Sequence, residues 1–562
     1  MRRTTGWSRV GQHASRLYPL AFAVIPALHT VAYQPGKASL LDLALISLGL
    51  VVVFGLAYVV CALVLGPCWL ASLCVMAMVV WFYGLPAVLR AAPALSPWAV
   101  VSAGGLATVA VLLAFRHRAA ALRFASGLLL RTGVLLVVWF GVRIALNTIH
   151  SYHQLASSRF RHELSRPVRR PVNPTAARPS IYLIVLDEYA NSETLREYLG
   201  FDNHVFEDSL RHLGFVIPRL VRSNYTQTTL SLASLLNFTY LTPLSEELGP
   251  TNADPTLLDN LVEYNRTVRF LHDEGYRFAF FPSEWWPATR ESPYADWQFA
   301  IKERSLWRAL ARTELRRGLW NRSLLSLVSP SIQSVDGDYL KETFERLDRL
   351  GGSDSLFVFA HLILPHTPYV FDAHCGPVVA PDVRDRRPYL AQLQCANAMV
   401  LKLVTDLIRR PGERPIILLQ GDHGTAMAGI FDAQSPEDVS PTQARERFGA
   451  FGAYLFPGTG AIAPGDSLSL VNLIPRVIDR YFGAGVATRP DSFFVSLLAH
   501  PLDFRAVDPE RLESAGASPP LGMRCPARTG LRRRSPSRAS CTEAWGEIAP
   551  VEMTSTRRSA SD

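Results

Sequence analysis

The stretch Ile181-Tyr182-Leu183-Ile184-Val185-Leu186-Asp187-Glu188 decides the fold. Apolar residues, many of them β-branched, run without a polar break and stop on two carboxylates. An uninterrupted run of this kind marks a strand buried on both faces, as in a parallel sheet covered by helices. Similar runs lie at 278–281, 356–360 and 415–419, with amphipathic helical patterns at 257–274, 338–350 and 388–409 between them. Alternating strands and helices predict an α/β domain with a mostly parallel central sheet. Ligands of such sheets bind beyond the carboxyl ends of the strands.

The residues just past each strand therefore carry the chemistry. Asp187 and Glu188 come after the first. His361 and His366, in His361-Leu-Ile-Leu-Pro-His366-Thr-Pro-Tyr, come after the run at 356–360. Asp422 and His423, in Gln420-Gly-Asp-His-Gly424, come after the run at 415–419. Taken singly, an acidic pair at a strand end is commonly a solvated helix cap, and Asp-His-Gly is a common turn. Together they bring carboxylates and imidazoles to one edge of a sheet. That donor set suits a divalent cation, Zn²⁺ or Mn²⁺ foremost, with Mg²⁺ and Ca²⁺ compatible with its oxygens.

The segment from Ser223 to Asn237 is dense in hydroxyls and then turns apolar with helical spacing. A hydroxyl at a helix start sits among free N–H groups and the positive end of the dipole, which favour phosphate or sulfate. It is a weak nucleophile until a base or metal lowers its pKa. Thr226, Thr228 and Thr229 all qualify on this reading, and an ordinary cap ahead of a buried helix is the bland alternative.

Outward from this domain the composition changes. Hydrophobic residues make up 49% of the 562, and residues 17–148 are the richest part. Apolar stretches at 17–33, 40–66, 69–93, 98–115 and 126–148 approach or reach the roughly 20 residues that cross a bilayer. Arg2, Arg3, Arg9 and Arg16 precede the first, and Arg116, Arg118 and Arg123 sit in the fourth loop, so the basic loops share the side of the N-terminus. Five spans put the α/β domain on the extracytoplasmic face; four would leave it in the cytoplasm. The first stretch lacks a small-residue cleavage site and reads as a retained span.

The division expected is a cytoplasmic segment (1–16), a transmembrane domain of about five helices (17–148), a Pro-rich linker (149–179), the α/β domain (180–505) and a disordered basic tail (506–562). The formal charge of +9 comes largely from membrane flanks and tail rather than one folded patch, which argues against nucleic acid as a partner. Cys375 and Cys395 are the two cysteines of the soluble body, and a pair facing an oxidising compartment is expected to form a disulfide.

The order of an acidic pair after strand one, a hydroxyl segment at a helix start, His-x4-His with Pro, and Asp-His-Gly resembles the sulfatase-like enzymes of the alkaline phosphatase superfamily. The layout is similar to the lipoteichoic acid synthases and lipid A phosphoethanolamine transferases, which join five spans to an external catalytic domain. The resemblance implies Asp187, Glu188, Asp422 and His423 as metal ligands, His366 as a catalytic residue and His361 and Ser231 on the substrate side. It selects Thr228 as nucleophile, because Ser231 lies three positions on. Absence of a Cys-x-Pro-x-Arg pattern disfavours sulfate-ester cleavage. Two features depart from the transferases: no His occurs between Gly424 and Ala499, and no cysteines bracket the threonines. The function implied is transfer of a phosphoryl-linked head group (phosphoethanolamine or phosphoglycerol type) onto an envelope lipid or glycan through a covalent threonine. The setting implied is a multi-pass protein of the inner or plasma membrane. A phospho- or sulfo-ester hydrolase with the same site, or a non-catalytic membrane scaffold or sensor, are the competing readings.

Overall fold

The computed structural model describes residues 15–34, 39–66, 68–91, 96–115, 118–168, 178–283, 289, 291–299, 314–328, 337–350, 355–378, 385–412, 414–458 and 466–514. The Pro-rich stretch 169–177 and the tail beyond 514 lie outside the described residues.

The apolar half forms helices α1 (Tyr18–Tyr33), α2 (Leu40–Leu65), α3 (Cys68–Ala91), α4 (Pro97–Phe115) and α5 (Ala119–Ser157). Among the described residues, three are long and apolar enough to cross a membrane, over 40–65, 68–89 and 120–157; the apolar helices over 18–33 and 97–111 are shorter. The expected count of five spans is therefore not met by length. With 16 residues, α1 is about 24 Å long against a hydrocarbon core of about 30 Å. It packs inside the bundle, where Ala23, Ala27 and Ala32 are fully buried and small residues let helices approach closely. Leu41, Leu48, Leu56 and Leu63 on α2 stay exposed, an outer face suited to hydrocarbon rather than water.

The linker expected from position 149 begins as a continuation of α5, which runs unbroken for 39 residues. A short helix, Arg159–Leu164, comes next after Ser158, whose hydroxyl caps it by accepting from the Arg161 N–H at 3.2 Å. This joint is fastened to the soluble body. Glu247 accepts from the N–H groups of Arg159 and Phe160, both at 2.9 Å. Ser151 bonds Asp254, and Arg161 Nε donates to Asn260 at 2.7 Å. The body in turn reaches back: Arg316, on the helix Glu314–Asn321, pairs with Asp42 at the start of α2.

The strands of the body are β1 (Ile181–Leu186), β2 (Leu220–Arg222), β3 (Arg277–Phe281), β4 (Trp297–Gln298), β5 (Leu356–Leu362), β6 (Ile416–Gly421), β7 (Gly452–Leu455), β8 (Ser467–Ser469), β9 (Phe493–Leu497) and β10 (His500–Val507). The main sheet has the order β4-β3-β5-β1-β6-β7. All its neighbours pair parallel except β6 with β7. Along the central strand, Ile181, Leu183 and Val185 feed one core and Tyr182, Ile184 and Leu186 the other, as the period of two requires.

Two boundaries differ from expectation. The pattern at 257–274 is two helices, Thr256–Glu263 and Arg266–Asp273, because Asn265 caps the second by accepting from the Val268 N–H at 2.9 Å. The folded body also runs past 505: β10 continues to Val507 and a helix occupies Pro509–Ser514.

Candidate active site

Parallel register sets the site. Leu186 lies beside Leu362 of β5 and Gly421 of β6, so three adjacent strands end together and their next residues share one edge. His361 is an exception to the sequence reading: it lies within β5, opposite Val185, rather than after the strand.

Asp187 donates its N–H to the Leu362 carbonyl at 2.9 Å. Glu188 then takes a left-handed conformation, φ +61°, which costs a non-glycine residue about 1–2 kcal/mol. Its N–H donates to Asp422 Oδ1 at 2.9 Å, and the His423 N–H donates to the same oxygen at 3.0 Å. Asp422 Oδ1 is thus satisfied by two backbone donors, while Oδ2 is left buried with no hydrogen-bond partner. The turn demands glycine at both ends. A Cβ on Gly421 would meet the Tyr189 carbonyl oxygen at 2.3 Å, and one on Gly424 the Glu446 carbonyl oxygen at 2.1 Å.

His423 faces the Gly424 carbonyl through Nδ1 at 3.1 Å. A carbonyl only accepts, so the proton sits on Nδ1 and the Nε2 lone pair points into the site. Around Nε2 stand Thr228 Oγ1 at 3.0 Å, Arg447 Nη2 at 3.0 Å, Asp422 Oδ2 at 3.1 Å and Asp187 Oδ1 at 3.9 Å. Asp187 Oδ1 is also buried without a hydrogen-bond partner. Two orphaned carboxylate oxygens thus converge with an imidazole lone pair. Ligand atoms of Asp187, Asp422 and His423 lie within 4.8 Å of one another. Mutually repelling acceptors of this kind fit a cation, and the oxygen–nitrogen set suits a borderline divalent ion.

The electrostatics agree with that fit. Burial alone would raise the Asp187 carboxyl, but the charge of His366 and the hydrogen bond and charge of His361 outweigh it and hold it well below the usual range. Asp422 is pushed up to about 7 by burial and by the Asp187 charge beside it. Burial and the Arg447 charge hold His423 well below its ordinary value, which keeps it neutral.

Thr228 opens the helix Thr228–Asn237, and two of the three candidate hydroxyls separate. Thr226 Oγ1 donates to the Ser496 carbonyl at 3.0 Å, away from His423, whereas Thr228 is the one on Nε2. Ser231 is not brought to the site: its hydroxyl is buried and donates to the Tyr225 carbonyl at 3.1 Å. His361 is buried, with Nδ1 3.1 Å from Thr289 Oγ1 and Nε2 3.3 Å from Asp187 Oδ2. His366 stands at the rim, Nε2 3.7 Å from Glu188 Oε2, with its side chain 19% exposed. Gln392 holds its loop, donating to the His366 carbonyl at 2.8 Å and accepting from the Val370 N–H at 2.7 Å. Gln392 and Cys395 share the helix Arg386–Arg409, and a disulfide joins Cys395 to Cys375 at a Cα separation of 5.1 Å.

Glu188 lies outside the three-residue group: Oε1 is 3.2 Å from Arg447 Nη1 and Oε2 faces His366. Arg447 itself escapes a reading of the sequence. It sits on the helix Pro441–Phe448, is buried, and donates to the Thr226 carbonyl and the Gly424 carbonyl, both at 2.9 Å. The one usable signal is Ser440-Pro-Thr-Gln443, a capping box that marks the helix start. Nothing in Arg445-Glu446-Arg447 tells which arginine turns inward.

No protein-family model matches this chain, and no curated protein sequence does. Solved structures do resemble it. The C-terminal periplasmic domain of EcEptC from Escherichia coli, in complex with Zn, is 10% identical with a TM-score of 0.41, covering 59% of this chain and 94% of that one. The C-terminal periplasmic domain of the phosphoethanolamine transferase EptC from Campylobacter jejuni is 12% identical, TM-score 0.35, over 58% and 95%. The phosphonate monoester hydrolase of Agrobacterium radiobacter is 12% identical, TM-score 0.37, over 57% and 80%.

Proposed function

We propose that this chain is a membrane-embedded, cation-dependent enzyme. On this reading it transfers a phosphoryl-linked head group, of phosphoethanolamine or phosphoglycerol type, onto an envelope lipid or glycan through a covalent intermediate on Thr228. The observation that carries the reading is the 3.0 Å contact between Thr228 Oγ1 and His423 Nε2, at a helix start and beside the orphaned oxygens of Asp187 and Asp422.

Asp187, Asp422 and His423 would hold a divalent cation, with Glu188 the further candidate one residue along. Such a cation lowers the pKa of a nearby hydroxyl and polarises a phosphoryl oxygen. The rest of the chemistry belongs to the chain. Free N–H groups at the start of the Thr228 helix favour the phosphoryl oxygens, and Arg447 supplies a fixed positive charge.

In the first half-reaction a bond forms between Thr228 Oγ1 and phosphorus, and the bond from phosphorus to the donor's alcohol oxygen breaks. The Thr228 proton passes to solvent, its loss eased by the lowered hydroxyl pKa that a cation held by Asp187, Asp422 and His423 would supply. His366, as imidazolium, protonates the departing alkoxide. In the second half an acceptor hydroxyl attacks phosphorus, Thr228 Oγ1 leaves and recovers a proton, and the acceptor's proton restores His366.

Three crossing helices or five give the same topology, because both counts are odd. The body then lies on the face opposite the Arg-rich N-terminus, which supports an extracytoplasmic site beside its lipid donor. The test is to quench the purified protein during turnover of a donor lipid and search the Thr228 peptide for a phosphoryl adduct. Free head-group phosphate without a transferred ester would make the chain a hydrolase. No adduct, together with full turnover by Thr228→Ala, would remove the covalent mechanism.

A further inference from the structure

Where the membrane bundle joins the body, four arginines gather with no acidic group at ion-pair distance among the described residues; Asp273 acts on Arg269 only at longer range. Arg161 lies on the helix Arg159–Leu164, Arg266 and Arg269 sit one turn apart on Arg266–Asp273, and Arg489 precedes β9. Backbone contacts tie them together. Arg269 Nη2 donates to the Leu164 carbonyl, and Arg161 Nη1 to that of Leu155 at 3.5 Å. The Arg266 guanidinium lies 4.9 Å above the Phe238 ring, and the Phe238 carbonyl accepts from Arg489 Nε at 3.0 Å. Nε of Arg266 and Nε of Arg269 are both buried with no hydrogen-bond partner. Among the described residues none of the four is in an ion pair. Glu163 is near enough to be felt by Arg266, yet makes no bond to it. Burial and the charges of Arg269 and Arg489 pull the Arg266 pKa down.

Like charges held together with unused N–H donors leave a site that an anion completes. Guanidinium forks match phosphate oxygens in geometry as well as charge. The position narrows the source. Leu155 is six residues beyond Ile149, an exposed apolar residue near the polar end of α5. At about 1.5 Å per residue that is a rise of about 9 Å, close to a head-group layer of roughly 5–8 Å.

We propose that Arg161, Arg266, Arg269 and Arg489 form a binding site for the phosphate of an anionic membrane lipid, seated where α5 leaves the bilayer. The site is separate from Thr228 and His423 and does not depend on the reaction proposed for them.

Calorimetric titration of the full-length chain in a non-ionic detergent tests it, with dihexanoyl-phosphatidylglycerol, dihexanoyl-phosphatidylcholine and inorganic phosphate as titrants. Phosphatidylglycerol is expected to bind at least about tenfold more tightly than phosphatidylcholine, more weakly as salt rises. The double variant Arg266→Gln/Arg269→Gln is expected to lose that preference. Should it fail to fold, Arg489→Gln decides alone, with a partial loss expected. Equal affinity for the two lipids overturns the proposal, as does an unchanged preference in the folded variants. Inorganic phosphate binding as tightly as phosphatidylglycerol overturns the lipid source and makes this a site for a soluble anion.

Discussion

Thr228 and Arg447 share one atom: the hydroxyl oxygen of the first and Nη2 of the second both stand 3.0 Å from His423 Nε2. Nε2 has one lone pair, so threonine, arginine and a cation are alternatives there. The chemistry of the site turns on which of them holds it.

Thr228→Ala is expected to lower turnover by at least about 10³-fold, the scale seen when a covalent nucleophile is removed, with bound metal unchanged. Thr226→Ala removes the hydrogen bond to Ser496 and should cost about 1 kcal/mol of stability while turnover persists. Steady-state rates and elemental analysis on the same preparations separate the two.

Asp422→Asn should lose metal yet stabilise the chelated protein. The amide oxygen keeps the bonds from the Glu188 and His423 N–H groups, and its NH₂ gains the Nε2 acceptor. In the folded chain Asp422 keeps its proton up to about 7, against an ordinary 3.8. Its contribution to stability is therefore full below about 4 and lost as pH rises through 7. Melting curves in chelator should show the gap between Asp422→Asn and wild type widening from pH 5 to pH 8.

Arg447→Met should reduce kcat by about 10²–10³-fold, as loss of a preorganised charge donor does. Arg447→Lys should recover little, because one ammonium cannot span Glu188, His423 and the carbonyls of Thr226 and Gly424 together. Rates on a phosphodiester probe check this; full activity in Arg447→Met would place the arginine outside the chemistry.

Alkaline phosphatase fused after Ser514, where the described body ends, should be active in cells. A fluorescent reporter that matures only in the cytoplasm should stay dark at the same position. The opposite pair of signals would require an even number of crossings.

Reducing the Cys375–Cys395 bond, or replacing both cysteines with Ser, should cost about 3 kcal/mol for a loop closed over 20 residues. It should also loosen the His366 loop, leaving Gln392 as its fastening to the helix. Alkylation without reductant should leave both residues unlabelled, and hydrogen exchange over 363–378 should rise in the double variant.

The sheet was legible because its strands at 181–186, 356–362 and 416–421 are apolar on both faces, a pattern few other elements imitate. The meeting of Asp187, Asp422 and His423 at one edge was legible for the same reason, since parallel register carries the residues past such strands there. Arg447 was not, because an arginine in a short helix reads as a solvated charge until tertiary packing turns it inward. Ser231 misled in the reverse sense: a helical serine can bond a nearby carbonyl, and spacing from Thr228 cannot reveal that it does. The break at Asn265 was hidden because apolar periodicity continues across it. The five-span count is not confirmed at α1 and α4, whose hydropathy resembles that of a crossing helix but whose apolar lengths fall short.

The unbroken α5 has a mechanical consequence. One residue inserted between Asn147 and Ser157 would swing the body by about 100° and lift it by about 1.5 Å. Arg316 would then miss Asp42, and Asp254 would miss Ser151 when the insertion follows that serine. If α5 crosses a bilayer, the helix is a rigid post of set height and Thr228 stands at one altitude above the lipid. On the proposed transfer, acceptors would then be sorted by how far their hydroxyls protrude.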